Sequence, residues 1–481
     1  MKKSLQNIFI ATCTAATLVL LVGMIVLRFG ALTETPLYDE VYSLVTADPS
    51  IALSTVWFDI LLQDVNLPLF NLALRAWAWI VPYTLPWMRL FPILLSLFTL
   101  PAIWFCAPKS WTKLPKGVLC SVFACSFIMT LFAHIVRSYS MGMLFTTVFT
   151  LLALRILEAF IAQEEVSKKL WAGFFITGLL GAYTHFFASG LFFITALFLF
   201  GYACVCKRDR LLIFCATGLS FFLWIPWLLN TYQTMGNFSV DWWYDTPKML
   251  ASWQILTYNL GPGPMLACLL VLVVAGFVSI GFHVRPIFKK VPEVILPLFQ
   301  LVVLTLVVWV ISRRYNLFME RYFLMALPSA LILLTGLFVH LCKRWMGFIV
   351  CLPVFLYANF VYFYNHALPR TEEYTGLTDA FRYVEKVSPS KKVLFFMPPI
   401  SYPAASQEPF VRYFIDPSSG IEFIPFTNET LARMQEPERL PTIVPLCALQ
   451  RLLDLSNKVH FEIPEPVVVF GQACVLQEPK K

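Results

Sequence analysis

Charge is what this chain has least of. Only 13% of its 481 residues are charged, against 59% hydrophobic, and the mean hydropathy is +0.72. A water-soluble fold of this size carries more charge than that, so the scarcity excludes a globular enzyme and implies a bundle of membrane-spanning helices. Familiar site signatures are missing too. No Gly-rich phosphate loop, zinc-type Cys/His spacing or G-x-S-x-G is present, which removes the commonest nucleotide, zinc and serine-hydrolase classes. Ten of the twelve cysteines lie in or beside apolar runs, where a thiol is ordinary filler. Cys204 and Cys206 have the wrong spacing for a redox or zinc pair. Cys447 and Cys474 stand apart in polar sequence, and would form one disulfide if that region lies in an oxidising compartment. No internal repeat is evident.

What is present is a series of uncharged runs. They read as spans at 8–28, 86–108, 117–136, 138–155, 169–184, 186–206, 211–230, 262–284, 293–312, 322–342 and 345–365, each of roughly spanning length. The first follows Lys2-Lys3 and precedes no A-x-A cleavage site, so it reads as a retained signal anchor. Net charge is +8, spread over short loops, which fits the bias of cytoplasmic loops and not a nucleic-acid surface. Placing Lys109/Lys113/Lys116, Lys168/Lys169, Lys207/Arg208/Arg210, Arg285/Lys289/Lys290 and Lys343/Arg344 in the cytoplasm gives one consistent alternation from residue 86 onward. The apolar stretch 67–82 carries Arg75 and is short; as a span it would invert every later cluster, so it reads as an interfacial or re-entrant helix.

The expected architecture is therefore an all-α polytopic membrane protein of about eleven spans plus an outer-face interfacial helix. Its N-terminus is cytoplasmic and its C-terminus lies outside. After Tyr364 the composition turns polar and Pro-rich, with strand-like runs at Val393–Phe396 and Val467–Phe470 and a helical stretch over Thr378–Lys386. Residues 366–481 thus read as a small α/β extracytoplasmic domain, with 1–365 as the membrane module.

That topology puts Asp39-Glu40, Asp64, Arg89, Arg137, His185 and Arg321 at the outer ends of spans or in outer loops. Arginine on the translocated side runs against the charge bias, which implies an anionic ligand there. Asp39 and Glu40 sit in Pro36-Leu-Tyr-Asp-Glu-Val-Tyr, and an amphipathic stretch from Ile51 to Leu62 leads to Asp64-Val-Asn-Leu-Pro68. Solvated loop acids and headgroup-binding or snorkelling arginines are the plain alternatives.

These pieces, with Trp87-Met-Arg89, Arg137-Ser-Tyr139, Tyr183-Thr-His185 and Glu320-Arg321-Tyr322, together resemble the GT-C superfamily of polyprenyl-phosphate-sugar-dependent glycosyltransferases. The chain is most similar to the bacterial branch of protein O-mannosyltransferases and aminoarabinose transferases, glycosyltransferase family 39. The resemblance covers about residues 1–365. One departure is Asp64-Val-Asn66-Leu67-Pro68 where the family commonly has D-x-H-P-P.

The resemblance implies inverting transfer of a sugar from a polyprenyl-phosphate donor to a lipid, glycan or protein acceptor at the periplasmic face of a bacterial inner membrane. The residues make chemical sense of this. A departing phosphate needs charge stabilisation, which arginine forks supply, and the attacking acceptor needs one carboxylate base. Asp39 is the expected base, with Glu40 and Asp64 orienting it or the acceptor. Arg137, His185 and Arg321 are expected around the donor phosphate, as is Arg89 unless it pairs instead with an acid across the bundle, with Tyr139 and Tyr322 either there or as interfacial anchors. No metal or other cofactor is expected. Two competing readings are a surface-glycan ligase or polymerase using a diphosphate-linked donor and a lipid-linked sugar transporter; the latter is disfavoured by span centres free of charge.

Overall fold

The computed structural model describes residues 17–30, 36–237, 292–312, 321–341 and 376–387, with a few isolated positions and five short strands between 392 and 475. It is a membrane protein built of packed helices. The helices are α1 (Thr17–Leu27), α2 (Tyr38–Ala47), α3 (Leu53–Gln63), α4 (Leu69–Ala78), α5 (Leu85–Cys106), α6 (Lys113–Cys125), α7 (Phe127–Ala133), α8 (Tyr139–Ile161), α9 (Lys168–Ala182), α10 (Phe186–Cys206), α11 (Arg210–Asn237), α12 (Pro292–Ile311), α13 (Leu327–Leu341) and α14 (Gly376–Val387). A 3₁₀ turn, Phe323–Ala326, leads into α13.

Among the described residues five helices are long and apolar enough to cross a membrane: α5, α8, α10, α11 over Arg210–Thr234, and α12. The expected single span at 117–136 is instead two helices, α6 and α7, bent by 58°. Ser126 causes the break: its backbone is extended, and its hydroxyl accepts the Met129 N–H at 3.5 Å to start α7. Carbonyls freed at such a break need donors. Arg28, buried at the end of α1, supplies them, reaching the Ala124 and Phe123 carbonyls at 2.9 and 3.4 Å. The expected span at 138–155 continues to Ile161, and that at 169–184 is a 15-residue helix, about 22 Å long and shorter than the hydrocarbon core. Expected spans at 262–284 and 345–365 lie outside the described residues.

The ten-residue α4 rises only about 15 Å, half a bilayer core. Its Phe70 and Leu74 bury against Leu44 and Ala47 of α2, while Trp79 and Ile80 just beyond it are exposed. Arg75, which carries the charge in this stretch, is buried. Its guanidinium donates to the carbonyls of Thr46, Asp48 and Ile51 at 3.3, 2.7 and 2.5 Å, pinning the turn after α2.

The helix α8 is the bundle's centre. It packs against α5, α9, α10, α12 and α13, and 61% of its most apolar stretch is buried, more than in any other spanning-length helix described. A buried amide holds the helices in register. Gln300 of α12 donates to Thr195 of α10 at 2.6 Å and Thr150 of α8 at 3.2 Å, and accepts from Ser329 of α13 at 2.8 Å. Lipid supplies no alternative partner, so such contacts act as interhelical glue.

Towards the C-terminus, β1 (Lys392–Phe395), β2 (Glu422–Pro425), β3 (Thr442–Pro445), β4 (Val468–Phe470) and β5 (Ala473–Val475) form one mixed sheet in the order β2-β1-β3-β5-β4. β1 is parallel to β2 and β3, with Lys392 opposite Glu422 and Leu394 opposite Thr442; β5 is antiparallel to β3 and β4. The amphipathic α14 packs on β3, β4 and β5, and its Ala380, Phe381 and Val384 share a buried cluster with Val475 and with Val41, Tyr42 and Trp227 of the membrane module. Cys474 lies in β5; its expected partner Cys447 falls outside the described residues.

Candidate active site

Helix α2 begins where Leu37 leaves extended backbone, and the Glu40 carboxylate accepts the Leu37 N–H at 2.8 Å, the N3 half of a capping box. Asp39 and Glu40 both favour this positive helix end. Adjacent residues on a helix diverge by about 100°, and here that turn separates them completely.

Glu40 points inwards. Arg89, in the second turn of α5, donates to it twice, Nε to Oε1 at 3.1 Å and Nη2 to Oε2 at 2.8 Å, and the Val136 N–H adds a further bond at 2.9 Å. The carboxylate is wholly buried and the Arg89 side chain 3% exposed. A charge pair this dry and this fully hydrogen-bonded ties α2, α5 and the chain entering α8 into one unit. Glu40 and Arg89 therefore stand behind the site: Arg89 takes the alternative of an ion pair with an acid across the bundle, and Glu40 is that acid.

Asp39 points the other way, and its side chain is 41% exposed. Arg321 meets its Oδ2 at 2.7 Å. Arg137, just ahead of α8, donates to the Asp39 backbone carbonyl at 3.3 Å and lies over the Tyr42 ring, 5.8 Å from its centroid. Burial pushes the Asp39 carboxyl up, but Arg321 and Arg137 outweigh that and hold it below the ordinary carboxylate range.

Asp64 joins this cluster through Asn66, one of the two residues at which its motif departs from D-x-H-P-P. Its carboxylate accepts the Val65 N–H at 2.7 Å and the Asn66 side-chain amide at 2.8 Å; the Asn66 carbonyl oxygen accepts from Arg137 at 3.4 Å. Helix α11 secures the loop, Trp227 donating to the Asn66 backbone carbonyl at 3.2 Å and Asn230 to that of Leu62 at 3.0 Å. Trp227 and Asn230 were legible only as polar residues late in an apolar run. Ahead of Asp64, α3 is itself irregular, with a π-helical turn over Val56–Ile60, a feature often found near functional sites.

His185 caps α10, its Nδ1 accepting the Phe187 N–H at 3.2 Å. Burial, reinforced by Arg137 and Arg321, holds this imidazole down to about 3, so it is neutral and keeps its proton on Nε2. Its ring centroid lies 6.2 Å from Tyr139 and 5.9 Å from Tyr322, and Arg321 lies 5.7 Å from the Tyr322 centroid. Tyr139 is buried against Phe132, which makes it part of the wall. Gly142, one turn into α8, permits the turn bearing Arg321 and Tyr322 to approach; a Cβ there would lie 2.3 Å from Met325 Sδ.

Asp39, Asp64, Arg137, Tyr139, His185, Arg321 and Tyr322 thus converge at one end of the bundle, from segments up to 282 residues apart. Helices α2, α8 and α10 begin there and α13 begins just beyond the turn, so their positive dipole ends reinforce the arginines. Among the described residues no group of three or more His, Cys, Asp and Glu side chains is arranged to hold a metal ion. The arrangement offers two carboxylates, two guanidiniums and aromatic walls: the parts for binding an anion beside a proton acceptor.

No protein-family model and no curated protein sequence matches the chain. Solved structures do. ArnT from Cupriavidus metallidurans in the apo state aligns with 97% of this chain and 98% of its own length, with a TM-score of 0.56 and 10% identity. The same protein bound to undecaprenyl phosphate aligns over 96% and 98%, with a TM-score of 0.50 and 10% identity. The likeness extends over nearly the whole of both chains and shows a shared fold.

Proposed function

We propose that this chain is an inverting glycosyltransferase that moves a sugar from a polyprenyl-phosphate donor to a lipid, glycan or protein acceptor at the periplasmic face of a bacterial inner membrane. The observation that carries the reading is the partly open Asp39–Arg321 pair with Arg137 beside it. The ArnT fold adds to it, since one of those structures holds undecaprenyl phosphate. Residues 1–365 would form the catalytic module and 366–481 a periplasmic domain near the acceptor.

The chemistry follows from the charges. A sugar phosphodiester carries one negative charge, and the departing polyprenyl phosphate carries about two at neutral pH. Arg321 and Arg137 therefore bind the transition state more strongly than the ground state, which is what accelerates a reaction. The acceptor heteroatom attacks the anomeric carbon opposite the leaving oxygen, and the carbon–oxygen bond breaks with its electrons passing to phosphate. The acceptor proton passes to Asp39, and one displacement inverts the centre.

In the unliganded pair Arg321 keeps Asp39 a weak base. A donor phosphate that engages the Arg321 fork would relieve that hold, and the carboxyl would become more basic as the donor arrives. Glu40 and Arg89 serve as the rigid backing, Asp64 orients the site through Asn66, and Tyr139, His185 and Tyr322 line the sugar's approach.

The test is transfer of radiolabelled sugar from polyprenyl-phosphate donors to a membrane extract by wild type and Asp39→Asn, matched for expression and melting temperature. Loss of transfer with the fold intact is the expected result. Unimpaired transfer would move the base to Asp64. An inactive wild type with every such donor would favour the diphosphate-donor or transport readings.

A further inference from the structure

Asn66 lies between an acid and a base and serves both. Its NH₂ donates to Asp64 Oδ2 at 2.8 Å and its oxygen accepts from Arg137 Nη2 at 3.4 Å. This orientation of the amide is dictated by its neighbours, because a carboxylate only accepts and a guanidinium only donates. The backbone is held independently by Trp227, whose indole donates to the Asn66 carbonyl and packs edge-on against Trp57 at 5.8 Å.

We propose that Asn66 is a positioning residue for Arg137: a neutral bridge that aims the guanidinium into the site and keeps Asp64 from closing on it as a direct ion pair. Arg137 also donates to the Asp39 backbone carbonyl and lies over the Tyr42 ring, so the Asn66 oxygen is one of several groups that fix where its guanidinium points. Neutral acceptors orient a cation without cancelling its charge. A carboxylate in the same place would hold it too, but would weaken its attraction for an arriving phosphate. The role rests on the reading of Arg137 as a donor-phosphate ligand.

The requirement is one acceptor facing Arg137 and one donor facing Asp64. Neutral histidine also offers one of each; protonated histidine offers two donors and no acceptor. The groups around position 66 are Asp64 on the same loop, Asp39 and Tyr42 on α2, Arg137 before α8, Arg321 before α13, and the uncharged Trp227 and Asn230 of α11. An imidazole introduced there would alternate between competent and incompetent forms as it titrates, with an unperturbed pKa of about 6.5.

The experiment compares wild type, N66L and N66H by donor and acceptor KM across pH 5.5–8.5, with cryo-electron microscopy of N66L in nanodiscs. N66L should raise the donor KM about tenfold or more, leave the acceptor KM unmoved, and show Arg137 turned away from the Asp39 carbonyl. N66H should recover most of the donor affinity at pH 8.5 and lose it as pH falls through the imidazole's titration, a limb that wild type lacks. A donor KM in N66L equal to wild type, or an N66H protein as impaired as N66L at every pH, would overturn the proposal. Should N66L fail to fold, the pH limb of N66H decides alone. Should wild type prove inactive, the glycosyltransferase reading fails by itself. The position of Arg137 in N66L then judges the bridge: displaced if Asn66 positions it, unmoved if not.

Discussion

The two ends of the bundle use charge in opposite ways. Helices α5, α8 and α10 all start at the site end, so their last turns, and the first turns of α6, α9 and α11, share the other end. There Lys109, Lys113, Lys168, Lys169, Lys207 and Arg210 are exposed. Glu158 at that end accepts the backbone N–H groups of Lys109 and Ser110, at 2.8 and 3.0 Å, and not a lysine ammonium. At the site end the cations are arginines held by long-range partners: Arg89 by Glu40, Arg75 by three carbonyls, Arg321 by Asp39, and Arg137 by Asn66 and Asp39. Exposed lysines at one end set orientation through their number; arginine forks at the other set geometry through their shape. Count tolerates substitution, and shape does not.

The largest effect should come from breaking the dry pair. Arg89→Ala leaves the Glu40 carboxylate buried without its main partner, and the expected cost is about 3–5 kcal/mol of stability, seen as a large fall in melting temperature or loss of purified protein. Arg89→Lys should restore only part, since ammonium cannot reproduce the fork; full restoration would mean that charge alone matters at this end.

Arg321→Lys should be folded but slow. We expect a loss of about 10²–10³ in kcat with a melting temperature near wild type, because the Asp39–Arg321 pair is partly open to solvent and such pairs add little stability. A collapse in stability instead would class Arg321 with Arg89 as scaffold.

A pH profile sharpens the contrast further. The Asp39 pKa is depressed in the folded chain, so its contribution to stability is present above the unfolded value of about 3.9 and lost as pH falls through the lower folded one. In activity, kcat/KM reports the free enzyme and kcat the complex. If donor phosphate takes Arg321 from Asp39, the acid limb of kcat lies at higher pH than that of kcat/KM. Coincident limbs would mean that the pair survives binding.

The smallest effect belongs to the other end. Lys168→Gln with Lys169→Gln should change stability by less than about 0.5 kcal/mol and leave sugar transfer unchanged in purified protein. A clear loss of transfer would show that the lysine end contributes more than orientation.

Several of these distinctions were readable early. Asp39, Arg137 and Arg321 stood out because charge beside an apolar run is costly unless used, and Arg75 betrayed α4 as too short and too polar to span. Glu40 is adjacent to Asp39 in sequence, but a helix turns adjacent side chains to different faces, so the burial that separates the two acids was not legible from their spacing. The break at Ser126 carried neither proline nor glycine, and its carbonyls are capped from the first helix by Arg28, nearly a hundred residues away. Gln300 gave no signal beyond being one amide in an apolar run, because its three partners come from three other helices.

The sequence by itself determined that this is a membrane protein with acids and arginines gathered at span ends. Those properties depend on local hydropathy and charge, which the bilayer reads segment by segment. Only the tertiary structure decided which acid is buried and which is open, which arginine is scaffold and which faces the site, and that Asn66 joins Asp64 to Arg137. Such roles depend on partners 49 to 282 residues away, and the burial and hydrogen bonding that separate a structural charge from a reactive one exist only once those segments have met.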